Sequence, residues 1–205
     1  MNKKILSVFV ATCLFALFLT GCGKTEIADL DVFSVSERSV YLKADGSLQV
    51  AYVEDFSENY YDKNSLNEYA LAVADEYNEE NTYGDALVGG VSVKDNKAVL
   101  LMNFASVKAY AGFAGEYETE PVIEVLDEDE AHMAYDDASF MPAKRSKKSK
   151  KGSEAITGSV YVASISGQAE VQTSGKILYY TDGELIDDNH IKVFDGADAV
   201  IIYKK

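Results

Sequence analysis

Residues 39–53, Ser-Val-Tyr-Leu-Lys-Ala-Asp-Gly-Ser-Leu-Gln-Val-Ala-Tyr-Val, decide the fold class. Two β-prone runs, Val40-Tyr41-Leu42 and Leu48 to Val53, flank Asp45-Gly46. An Asp-Gly pair in that setting signals a tight hairpin, because both central positions of a type I′ turn need positive φ. Downstream, Ser65-Leu66-Asn67-Glu68 fits a capping box, with hydroxyl and carboxylate each satisfying a backbone amide of the first turn. Leu66, Tyr69, Ala70, Val73, Ala74 and Tyr77 then recur on one face of a 3.6-residue period, which predicts an amphipathic helix from Ser65 to about 81–84. Glu68, Asp75, Glu76, Glu79 and Glu80 fall largely elsewhere and read as its solvated face.

A second hairpin is expected from Leu87 to Val93 and Ala98 to Phe104, turning at Asp95-Asn96. Val99-Leu100-Leu101-Met102 is apolar in both parities, the pattern of a strand buried on both faces. Gly89-Gly90 interrupts the first strand and suggests a bulge, since a phosphate-cradling loop would sit between a strand and a helix. A shorter helix is expected from about Ser106 to Ala114. From Ile156 to Tyr203 the short runs 160–162, 169–171, 177–180, 190–194 and 199–203 alternate with Gly167-Gln168, Ser174-Gly175, Asp182-Gly183 and Asp195-Gly196. Such spacing implies antiparallel strands of a sandwich or barrel-like meander. The fold class is therefore α+β: antiparallel hairpins packed with one main amphipathic helix, plus a C-terminal antiparallel all-β portion.

The N-terminus carries a different message. Lys3 and Lys4 precede an apolar run from Ile5 to Phe18, and the run ends at Leu19-Thr20-Gly21-Cys22. A charged start, a short apolar stretch and a small-residue stop are the parts of a secretory signal, and the run is short for a spanning helix. Leu19-Thr20-Gly21-Cys22 resembles the lipobox of bacterial lipoprotein precursors. The resemblance implies that signal peptidase reads Leu19, Thr20 and Gly21, and that Cys22 becomes a lipidated N-terminus carrying a diacylglyceryl group. The expected organisation is a lipoprotein signal peptide at 1–21, a tether at 22–38, an α+β portion at 39–126, a charged linker or disordered excursion at 127–153, and a small β portion at 154–205. The block Asp127-Glu128-Asp129-Glu130 opens the excursion, and Lys144, Arg145, Lys147, Lys148, Lys150 and Lys151 close it. Like charges in blocks repel, which is why disorder is the expectation there.

Phe56 to Tyr61, Ser65-Leu66, Glu76-Tyr77-Asn78, Lys108 to Phe113 and Ile201 to Lys204 resemble the small lipoproteins of Gram-positive anaerobes. That resemblance implies an anchored envelope protein and transfers no catalytic residue.

The inventory bounds the chemistry. The formal charge is −15, and loss of residues 1–21 removes Lys3 and Lys4 and no acid, giving −17. Such a surface argues against nucleic acid as a partner. Cys13 leaves with the signal and Cys22 is consumed by lipidation, so disulfides and cysteine-based sites are excluded from the expected mature chain. His132 and His190 are the two histidines, too far apart in sequence to form a short-spaced zinc motif, and no Gly-x-Ser-x-Gly elbow accompanies them. Asp182-Gly183-Glu184 and Asp187-Asp188-Asn189 lack the ligand spacing of an EF-hand loop. No catalytic residue, metal or cofactor is expected. The basic run from Lys144 to Lys151 is a candidate anion contact for wall polymers or lipid head groups. The expected function is a lipid-anchored, non-enzymatic binding or interaction module at the envelope, with membrane and envelope proteins or wall polymers as partners. An envelope-modifying hydrolase using acidic residues and an accessory component of a transport system are the competing classes.

Overall fold

The computed structural model describes residues 28–58, 61–144 and 147–205. The signal peptide, the lipobox residues Leu19, Thr20, Gly21 and Cys22, and Arg145 lie outside them.

Two sheets carry the chain, and the fold class is α+β. A seven-stranded sheet has the order β11-β12-β9-β1-β2-β4-β3, and a six-stranded sheet the order β5-β8-β13-β10-β6-β7. In the first, β1 (Ser39–Leu42), β2 (Leu48–Asp55), β3 (Ala86–Lys94) and β4 (Lys97–Phe104) come from the two hairpins, and β9 (Ala169–Thr173), β11 (Glu184–Leu185) and β12 (His190–Val193) from the C-terminal third. The second is built from β5 (Val122–Leu126), β6 (Ser139–Pro142), β7 (Lys150–Lys151), β8 (Val160–Ser166), β10 (Ile177–Tyr180) and β13 (Asp198–Lys204). The C-terminal strands pair antiparallel with one another, and β9 also joins β1 in parallel, Val40 opposite Val171. The C-terminal strands are thus shared between both sheets, and the 39–126 and 154–205 portions bury one common core.

The hairpins form with different turns from those the dipeptides suggest. At Asp45-Gly46 the Gly46 amide donates to Lys43 O (3.2 Å), Lys43 N donates to Ser47 O (3.0 Å), and Gly46 takes φ +86°. This is a three-residue loop with the glycine in the left-handed position, where a missing Cβ removes the clash. The type I′ geometry appears instead at Asp95 (φ 52°) and Asn96 (φ 60°). The bulge at Gly89-Gly90 is present as a register shift between Val88 and Gly90.

Helix α1 spans Lys63–Glu80, three residues earlier at its cap than the Ser65 box suggests. Asp62 takes the cap, its carboxylate accepting from Ser65 N (2.8 Å) and Ser65 Oγ (3.1 Å). A carboxylate at an N-cap satisfies an orphan amide and faces the positive end of the helix dipole, so it displaces the hydroxyl. Helix α2 (Val107–Glu116) starts where expected, capped by Ser106 Oγ.

The core lies between the inner faces of the two sheets, with Val40, Val50, Val171 and Val193 meeting Ile123, Ile165, Ile177 and Ile201, and with Tyr77 of α1 and Tyr110 and Phe113 of α2 closing it. Both outer faces are also covered. Behind the seven-stranded sheet, Leu30, Val32 and Val35 pack on Ala51, Val99 and Leu101, so residues 28–38 of the expected tether are a folded cover. Behind the six-stranded sheet, Ala131 of α3 (Glu128–Tyr135), Phe140 of β6, and Ala155 and Ile156 at α4 (Gly152–Ala155) pack on Val162, Tyr179, Val200 and Ile202. The expected disordered excursion at 127–153 is therefore largely ordered. The acidic block is the reason at one end: Asp127 and Glu130 form a reciprocal capping box that starts α3, and acids in a first turn complement the dipole rather than only repelling one another. At the other end Lys150 and Lys151 pair with Phe140 and Ser139 as a two-residue strand.

Candidate functional site

Helix α1 is fastened to the fold at its C-terminal half. The Tyr77 hydroxyl donates to Ala109 O (2.7 Å), and Asn78 clamps Ala86 through both its amide groups (2.8 Å each). Gly112 makes room, since a Cβ there would stand 2.7 Å from the Tyr77 hydroxyl. Toward its N-terminal half α1 is seated less deeply: Leu66 and Val73 are half-buried and Tyr69 is 66% exposed. Between this half and the sheet lies an apolar groove of about 240 Å³, floored by Tyr52 of β2 and Leu100 and Met102 of β4, and walled by Leu66, Tyr69, Ala70 and Val73 of α1 with Phe113, Tyr117 and Thr119.

One end of the groove opens onto charge. Arg38, just before β1, points its guanidinium at Glu54 of β2 (3.0 Å) and at Glu120 (3.7 Å), and Glu118 and Thr119 complete the mouth. The Tyr52 hydroxyl lies 3.4 Å from Thr119 Oγ1, on the boundary between groove and mouth. Beyond Arg38 an open polar cleft of about 630 Å³ continues past Asp55, Asp95, Lys97 and Asp195. Glu37 on its wall is paired with Lys192. Among the described residues, Asp55, Asp95, Asp195 and Glu118 have no cation within ion-pair distance.

The hydroxyls of this region are held neutral. Burial pushes the phenols of Tyr52, Tyr110 and Tyr117 above the ordinary tyrosine range; at Tyr117 the nearby Glu116, Glu76 and Glu80 carboxylates add to it, and at Tyr52 hydrogen bonds to Thr119 and Tyr110 offset part of it. Phenols in this state donate hydrogen bonds and do not act as bases or nucleophiles at neutral pH. Among the described residues the Tyr117 hydroxyl is buried with no hydrogen-bond partner.

The sequence-derived candidates lie elsewhere. His132 Nδ1 sits 2.6 Å from Asp136 Oδ1 on α3, and the hydrogen bond to that carboxylate raises its pKa above the ordinary histidine value. His190 Nδ1 is 2.6 Å from Asp187 Oδ2 and Nε2 is 2.7 Å from Gln172 Oε1, while the Gln172 amide nitrogen donates to Ala28 O (2.9 Å). Both ring nitrogens are engaged by the protein, so His190 works as a clasp between β12, β9 and the N-terminal cover. Asp187 shapes the same turn: its burial is outweighed by the Asn189 and His190 amides and the His190 ring, which together hold its carboxyl below the usual range. In the basic run Lys150 reaches Glu154 O (3.2 Å) and lies over the Tyr179 ring, and Lys151 faces Asp137 at 3.4 Å. Lys144, Lys147 and Lys148 are exposed and, among the described residues, unpaired by any carboxylate.

Arg38, Glu54, Glu118 and Glu120 were not singled out by sequence pattern. Their one signal is placement: an arginine just before β1 and a glutamate near the end of β2, both at the open end of the Asp45-Gly46 hairpin, in a chain whose other arginine is Arg145. Thr119 and Glu120 come from a loop whose path the sequence pattern leaves open. No family model, no curated protein and no solved structure matches this chain.

Proposed function

We propose that the protein is a lipid-anchored extracytoplasmic module that binds a partner at the cell envelope without chemical turnover, of a kind with the small lipoproteins of Gram-positive anaerobes that it resembles. The anchored half of this reading is supported by Lys3-Lys4, the apolar run and Leu19-Thr20-Gly21-Cys22. Two acyl chains give stable membrane attachment where one does not. Because residues from 28 onward are part of the folded body, the chain from Cys22 to Ala28 spans at most about 20 Å at full extension. The body would then work close to the membrane surface.

The binding half is carried by one observation: an apolar groove under α1 runs into a charged mouth, and the hydroxyls beside it are neutral donors. Concave apolar surface with a few polar groups at one end is the form of a recognition site. Hydrolysis by paired acids asks for a carboxyl of raised pKa across from a second carboxylate. Glu54 and Glu120 instead share Arg38 and are 67% and 62% exposed, an arrangement suited to charge recognition.

The test combines fractionation with site-specific photocrosslinking in the native cell. Wild-type chain is expected in the membrane fraction and Cys22→Ser outside it. A photoreactive residue at Tyr69 is expected to give a discrete adduct, and the same residue at exposed Met133, on α3 behind the six-stranded sheet, none. Unchanged fractionation of Cys22→Ser would remove the anchor, and adducts that are absent or identical at both positions would remove the binding role.

A further inference from the structure

The groove shares Tyr52 and Thr119 with the charged mouth, and the mouth shares Arg38, Glu54 and Glu120 with the acidic cleft, so the three form one continuous surface. We propose that this surface takes a basic polypeptide segment of a partner protein, with one apolar side chain entering the groove and neighbouring lysines or arginines lying along the mouth and cleft. The inference rests on the binding-module reading and names the class of its partner.

Size and charge select the occupant. At about 240 Å³ the groove is smaller than the usual range of small-molecule sites, roughly 300–1,000 Å³, and matches one large side chain. Tyr69 on its wall and Tyr52 on its floor are the kind of rigid amphipathic contact that dominates protein recognition, apolar on the ring and polar at the tip. At the mouth three carboxylates, Glu54, Glu118 and Glu120, surround the single cation Arg38. The surplus continues along the cleft in Asp55, Asp95 and Asp195 against Lys97, whose ammonium is already donated to Ser36 O (3.3 Å). A lone amine would answer one end of this surface. A peptide answers its length, because residues rise about 3.3 Å each in extended form and place successive charges along it.

The experiment uses the full chain in non-ionic micelles, with protein-free micelles as blank. The chain has no tryptophan, so the emission of a tryptophan peptide reports its own environment. The probes are Lys-Lys-Trp-Lys-Lys, Glu-Glu-Trp-Glu-Glu and tryptophan amide. A saturable blue shift is expected for the basic peptide, with at least tenfold weaker binding for tryptophan amide and none for the acidic peptide. Tyr69→Ser, and Glu118→Lys combined with Glu120→Lys, are each expected to weaken the basic peptide at least tenfold, with unchanged thermal melts showing that they remain folded. Rising salt is expected to weaken it as well. Equal affinity for tryptophan amide, indifference to these substitutions, or displacement of the peptide by self-association of the chain would each overturn the proposal. If the peptide fails while the Tyr69 crosslink persists, the partner's chemistry is wrong and the binding role stands; if both fail, the role itself falls.

Discussion

The two outer covers of this protein solve the same problem by opposite means. Behind the seven-stranded sheet, residues 28–38 lay down an irregular strap whose apolar packing on the strands comes from Leu30, Val32 and Val35. It is held by side-chain bonds to the sheet: Leu30 N donates to Gln49 Oε1 (2.9 Å) and Ser92 Oγ to Val32 O (2.6 Å). Behind the six-stranded sheet the cover is a closed cluster with its own secondary structure, in which Phe140 and Ile156 are fully buried and α3 and α4 meet backbone to backbone. The difference lies in what each must hide. The strap masks a patch of the interior strands β2 and β4 at Ala51, Val99 and Leu101, whereas the cluster masks β13, where Ala199 to Tyr203 are all buried. A strand buried on both faces needs a dry layer on each side, and a strap of three half-buried side chains supplies one only over a small patch.

This contrast predicts unequal costs. Phe140 is 0% exposed, and Phe140→Ala should destabilise by about 3–5 kcal/mol, the range for emptying a buried aromatic site. Gly152→Ala should follow at about 1–3 kcal/mol, the cost of overpacking, because its Cβ would stand 1.8 Å from Tyr135 O, a backbone atom that cannot rotate away. Denaturant unfolding checks both. Wild-type stability in either variant would mean that the cluster is a dispensable annex rather than a layer of the core.

On the strap the same measurement should register less. Ser92→Ala removes the bond to Val32 O and should cost about 1 kcal/mol, the net worth of one such hydrogen bond. Hydrogen exchange separates the two covers more sharply. The Val35 amide, bonded to Asp31 O, should exchange by local opening, while the Gly152 amide, bonded to Ala138 O, should exchange only with global unfolding. Equal protection of the two amides would erase the distinction.

Why both covers read as linkers is a matter of density. Hairpins and helices announce themselves by periodicity, and the strands, α1 and α2 were legible from Leu48-Gln49-Val50, Leu66 to Tyr77 and Val99 to Met102. Covers contribute few apolar residues each: Leu30, Val32 and Val35 in one, Ala131, Phe140 and Ile156 in the other, spread among charges. The signal for them sat in the strands beneath. Val99 to Met102 is apolar in both parities, as is Ala199 to Tyr203, and each such run requires a second layer that some other part of the chain must supply. The candidate site was less legible still. Its apolar floor follows from the hairpins and α1, but Arg38, Glu118 and Glu120 meet through a sheet register and a loop, and neither leaves a local pattern.

The smallest expected effect lies on the surface of the ordered cluster. His132 holds a proton against Asp136 at 2.6 Å, and its pKa in the folded chain is raised by that bond. A group whose folded pKa exceeds its unfolded one adds stability that is complete below the unfolded value, about 6.5 for histidine, and is lost as pH rises through the folded value. Stability should therefore decline slightly from pH 6 upward through that window, and His132→Ala or Asp136→Asn should flatten the decline. The His132 side chain is 32% and the Asp136 side chain 51% accessible to solvent, so the change should be small beside that of Phe140→Ala, and salt should shrink it further. The His132 ring-proton titration by NMR reads the pKa directly: a midpoint at or below the ordinary value would show that Asp136 does not hold the proton and that the C-terminus of α3 is fastened by backbone bonds such as Ser153 N to Asp136 O.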